Sequence, residues 1–143
     1  MTESGDRKMK RFLQTCALIL AASVAIADNL EDSDRMLCST SKILVCFEDG
    51  DCVETYPWEV NVPQFLVIDT KKMTLSTTKA SDENRSSSFH TIQREEGRIL
   101  LQGIEAGRAY SYVIDETTGL ATVAVSRDGL AVSVFGACTD TDT

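Results

Sequence analysis

From residue 65 onward the chain falls into short apolar runs separated by polar clusters rich in glycine and acidic residues. The runs "FLVID" (65–69), "MTLSTT" (73–78), "FHTIQR" (89–94), "RILLQGI" (98–104), "RAYSYVI" (108–114), "LATVAVS" (120–126) and "LAVSVFG" (130–136) are β-branched or aromatic and evenly spaced. In "MTLSTT", Met73 and Leu75 share one side while Thr74 and Ser76 share the other, the alternation of a two-faced strand. Runs of this length and spacing predict an all-β sandwich or barrel. With a further strand through the first cysteines the count is about eight, and tight turns make neighbours antiparallel. The last two runs are apolar on both faces, which places Val123, Val125, Val132, Val134 and Phe135 in the expected core. Beyond the N-terminal region no helical period is sustained, and Glu31 to Leu37 allows one turn at most.

The turns repeat. Glu48-Asp49-Gly50, Glu95-Glu96-Gly97 and Arg127-Asp128-Gly129 each lie between apolar runs. They read as three-residue hairpin loops whose glycine takes a left-handed conformation at no steric cost. Asp115 to Gly119, "DETTG", reads as a longer loop capped by Asp115. Residues 78–88, "TKASDENRSSS", lack any large apolar side chain and are expected as a long mobile connection, with a glycosylation sequon at Asn84. The tail, residues 138–143, is expected to be disordered.

The N-terminus changes the picture of where the domain begins. Arg7, Lys8, Lys10 and Arg11 precede an apolar run, Phe12 to Ala27, that closes on Ala25-Ile26-Ala27. This is the three-part pattern of a secretory signal peptide over residues 1–27, with Met9 as an alternative start. Residues 28–143 are then one exported β domain, periplasmic or secreted, with no membrane association once the signal is removed. The chain carries net charge −8, and the signal segment holds four basic against two acidic residues, so the remainder carries −10. Such a surface repels phosphate backbones and anionic lipid, which excludes nucleic acid and favours a basic protein or a small ligand as partner.

Four cysteines remain after the signal: Cys38, Cys46, Cys52 and Cys138. An even number in an exported chain points to two disulfides. If Glu48-Asp49-Gly50 closes a hairpin, Cys46 stands opposite Cys52 at a separation a disulfide accepts. That leaves Cys38 and Cys138 to tie the first strand to the last; the other two connectivities stay open from sequence. A zinc or redox site is disfavoured because no C-x-x-C pair is present, and "FEDGDCVE" lacks the order of a calcium loop. No metal and no cofactor is expected. His90 is the single histidine, and no G-x-S-x-G elbow, P-loop or G-x-G-x-x-G is present, so no catalytic residue is assigned.

Three aromatic residues are candidates for binding. Trp58 is the only tryptophan and sits in "YPW". Tyr110 and Tyr112, two apart, share a strand face, which is a binding strip if outward and core if inward. At least one is read as core.

The cysteine layout Cys38-x7-Cys46-x5-Cys52, the "IDETTG" stretch and the terminal "FGAC" resemble a family of small exported bacterial β-proteins of unknown function. More distantly, in size, signal and strand content the chain is similar to the periplasmic inhibitors of C-type lysozyme, although "AGRAY" (106–110) departs from their S-G-x-x-Y loop. The leading expectation is an exported, non-enzymatic binding or envelope-associated protein. The alternatives are an inhibitor of a secreted hydrolase such as lysozyme, or a small ligand-carrying barrel.

Overall fold

The computed structural model describes residues 29–141; the expected signal segment, residues 1–27, lies outside the described residues. Alternating side chains and glycine turns fold this stretch into ten antiparallel strands of one curled sheet: β1 (Arg35–Phe47), β2 (Cys52–Thr55), β3 (Phe65–Asp69), β4 (Thr74–Thr77), β5 (Ser86–Ser88), β6 (Thr91–Glu95), β7 (Arg98–Glu105), β8 (Arg108–Asp115), β9 (Leu120–Arg127) and β10 (Leu130–Asp140). Their order is β5-β4-β3-β1-β10-β9-β8-β7-β6, with β2 beside β1. The strands beyond the expected eight are the short β2 and β5. Ser86–Ser88, expected within a mobile loop, hydrogen-bonds to β4 instead. The tail also differs from expectation: β10 pairs with β1 as far as Asp140, and the Thr141 amide donates to the Arg35 carbonyl. The Cys38–Cys138 link and this pairing hold the end that composition alone marks as frayed.

The sheet curls into a half-barrel that brings its two edges near each other without pairing them. β5 and β6 are opposite edges, yet only Phe89 and His90 separate them in the chain. The first piece pairs with β4 and the second with β7, so one bent stretch bridges both ends of the sheet. Above the bend, the Tyr110 hydroxyl donates to the Ser88 carbonyl at 2.8 Å. Below it, the Arg94 guanidinium donates to the carbonyls of Leu30, Glu31 and Ser33 and pairs with Glu116. The stretch ahead of β1 is thereby tied across the seam, with Leu30 fully buried beneath it.

Two devices shape the long strand β1. A bulge at Ser41, opposite Gly136 and Phe135, bends it, and the Ser41 hydroxyl donates to the Phe135 carbonyl. Before the bulge β1 pairs with β3; after it, with β2. The turns are tighter than the glycine tripeptides indicate. Glu96-Gly97 and Ala106-Gly107 are two-residue loops with positive φ at both positions (49° and 73°, 47° and 76°), which match the twist of the strands they join. Asp128-Gly129 also spans two residues, whereas Glu48-Asp49-Gly50 is followed by a Phe47–Asp51 closing bond of 2.9 Å.

The interior has two packed regions. Leu30, Met36, Ile68, Leu75, Phe89, Ile99, Leu101 and Ile114 fill one end. Ile43, Val45, Val123 and Val134 form a smaller cluster toward the other. Phe135, expected in the core, is 40 % exposed because alternation turns it outward from Val134. Apolar residues on both faces of β10 reflect an exposed apolar outer wall, not burial on both sides.

Candidate functional site

From the larger cluster, past the smaller one and toward the turns at the far end, the barrel is not filled. A cavity of about 420 Å³ opens there, within the range of small-molecule sites. Its wall is mostly apolar, drawn from the inward positions of β1, β9 and β10: Val45, Val123, Val125, Val132 and Val134. One side is not a strand at all. Because β3 pairs only with the first half of β1, the connection from β2 to β3 crosses the gap, and Val60, Asn61, Val62 and Pro63 line the cavity from there. Arg85 holds this flap through its guanidinium, which donates to the Asn61 carbonyl at 3.1 Å.

Tyr110 and Tyr112 both point inward on β8, so the sheet face they share is the cavity side. Tyr110 lies over Gly103, where a Cβ would stand 2.2 Å from the phenolic oxygen, so glycine is required beneath the ring. Burial raises its pKa, with the Glu105 charge adding to the effect. Tyr112 meets Tyr110 edge to face, with ring centroids 6.0 Å apart. Burial pushes the Tyr112 phenol far above its ordinary value, and Tyr110 and Glu105 act in the same direction. The surface Tyr112 retains faces the cavity, and no described residue hydrogen-bonds its hydroxyl. A neutral phenol with a spare donor therefore stands in a mostly apolar wall.

Trp58 is elsewhere. It lies in a 3-10 turn, Pro57–Glu59, 72 % exposed, and stacks flat on Tyr56 with ring centroids 4.6 Å apart. Thr55 donates to the Glu59 carboxylate, and this bond, followed by one from the Tyr56 amide, lowers the Glu59 pKa. Trp58 thus occupies the outer face of the flap whose later residues line the cavity.

The cysteines form two cross-strand disulfides. Cys46–Cys52 lies on the outer face at the first hairpin, with Cα atoms 4.1 Å apart. Cys38–Cys138 lies inside, between the first and last strands, and Cys38 reaches the cavity wall. His90 is exposed at the bend between β5 and β6, away from the cavity lining.

Among the lining residues not marked as candidates in the sequence are Arg108 and Arg127. The signal was present. "RAYSY" sets Arg108 in phase with Tyr110 and Tyr112, and "TVAVSR" sets Arg127 in phase with Val123 and Val125. Compared with protein-family models, curated proteins and solved structures, the chain matches none.

Proposed function

We propose that this protein is an exported, non-enzymatic binding protein that holds a small apolar ligand inside its β-barrel. The carrying observation is the cavity of about 420 Å³, walled by valines and two tyrosines. A packed interior leaves few voids larger than a water molecule, and this one is open at a mouth. Eight-stranded barrels are wide enough to enclose one small ligand when side chains do not fill them. The disulfides fit an oxidising compartment. Among the described residues no helix is long and apolar enough to cross a membrane.

The test is titration of the oxidised protein with an environment-sensitive apolar fluorophore, followed by displacement with small apolar compounds. One saturable site per chain, competed by such compounds and lost when the cavity is filled by substitution, is expected. Absence of any saturable uptake sinks the reading.

A second reading rests on the exposed Tyr56–Trp58 stack, because stacked aromatics on a rigid turn suit a protein interface. In it the acidic barrel docks a basic secreted hydrolase such as lysozyme. Unchanged lysozyme activity in an equimolar mixture rejects that partner.

A further inference from the structure

Two arginines oppose each other at the rim of the cavity. β8 and β9 pair with Ala109 opposite Ser126, so the next positions outward are Arg108 and Arg127. Both stand in the inward phase of their strands and both line the cavity. Neither guanidinium forms an ion pair or hydrogen bond among the described residues. Like charges directly opposed on neighbouring strands are destabilising. Glu105 stands opposite Arg108 on β7 and offsets part of that repulsion.

The other charges around the cavity are few. Glu105, on β7, pairs in register with Arg108. Arg85 is committed to Asn61 and lies 3.7 Å from Glu83. The acids of the adjacent turns, Glu48 and Asp128, stand outside the lining. Of the charged residues that line the cavity, Arg85, Arg108 and Arg127 stand against Glu105 alone, a local positive excess at the mouth. This local excess sits on a chain of net charge −8. Below it the wall is mostly apolar, with the Tyr112 hydroxyl and a few serine and threonine side chains among its polar groups.

A positive rim above an apolar cavity selects a molecule with one negative end and one apolar end. We infer that the cavity takes a single-chain amphiphile with a carboxylate head, the chain within the barrel and the head held by Arg108 and Arg127. This rests on reading the cavity as a ligand site. Guanidinium and carboxylate form bidentate, charge-assisted pairs, and a bound monoanion cancels the repulsion between the two arginines. A dianionic head such as phosphate brings a second negative charge toward Glu105, which stands opposite Arg108.

The experiment compares dodecanoate, dodecanol and dodecyl phosphate by displacement of the fluorophore from the full oxidised chain, in wild type and in the Arg108→Gln/Arg127→Gln double variant. The wild type is expected to bind dodecanoate at least tenfold more tightly than dodecanol, and more tightly than dodecyl phosphate. The double variant is expected to lose that preference while keeping its dodecanol affinity. Equal binding of acid and alcohol by the wild type overturns the head-group inference and leaves the cavity reading standing; failure of all three to bind overturns both. Tightest binding of dodecyl phosphate overturns the carboxylate assignment. A readout without ligand checks the premise: Arg127→Gln is expected to raise the melting temperature of the empty protein, and a fall would make the guanidinium structural and overturn the inference.

Discussion

At the level of single residues, the barrel depends on side chains that are missing as well as on those present. A Cβ on Gly136 would stand 2.0 Å from the Ser39 carbonyl oxygen, which is backbone and cannot turn aside. Gly136→Ala is therefore expected to destabilise the protein by about 1–3 kcal/mol, read as a lower urea midpoint with unchanged slope. The tyrosines carry a pH signature. Tyr112 and Tyr110 have folded pKa values raised by burial above the ordinary value of about 10. Their contribution to stability is complete below that value. It is lost as pH rises, because the unfolded chain ionises while the folded barrel keeps both phenols neutral. Tyr112→Phe is expected to flatten the fall in stability above about pH 10, measured as melting temperature against pH; an unchanged slope would contradict it. Alternation put both tyrosines on one face in the sequence, but it left undecided which face is interior. The structure places that face inside the barrel, where Gly103 makes room for the Tyr110 ring.

Among the elements, the hairpins were the most legible part of the chain. Glycine after an acidic residue marks three of the turns, at Gly50, Gly97 and Gly129, and the Cys46–Cys52 link follows from counting outward from Glu48-Asp49-Gly50. Loop length was less legible, since Glu95-Glu96-Gly97 has the same appearance as a two- or three-residue turn. It resolves only through the positive φ of Glu96, a residue for which sequence gives no such expectation. β5 was hidden because Ser86–Ser88 has no apolar residue to alternate; its pairing with β4 supplies what composition lacks. The two disulfides constrain the unfolded chain unequally, at sequence separations of 100 and 6. In the chain-entropy model the long link contributes about 4–5 kcal/mol and the short one about 2. Cys38→Ala/Cys138→Ala is expected to destabilise about twice as much as Cys46→Ala/Cys52→Ala in equilibrium unfolding, and equal losses would refute the entropic assignment.

In the whole molecule, closure and emptiness occur at opposite ends of one barrel. At the closed end Arg94 ties three backbone carbonyls and the buried Glu116 carboxylate across the seam. Arg94→Ala strands that carboxylate. The loss is expected at about 2–3 kcal/mol, less than for a fully buried pair because about a third of the Arg94 side chain stays in water. Hydrogen exchange should quicken first at the Leu30 and Thr70 amides, which anchor the stretch ahead of β1. This latch escaped the sequence because its partners are backbone groups brought together only when the sheet curls. The cavity escaped for a related reason: the valines of β9 and β10 look the same whether they meet other side chains or empty space. At the open end the barrel gives up packing that its own side chains could supply. If that void serves binding, filling it separates the two properties. Val132→Phe, on the cavity wall, is expected to raise the melting temperature of the ligand-free protein while weakening uptake of the apolar fluorophore more than tenfold. Such a trade is characteristic of sites kept open for function. A variant that gains stability and still binds normally would place the ligand elsewhere on the barrel, with the Tyr56–Trp58 stack the first surface to test.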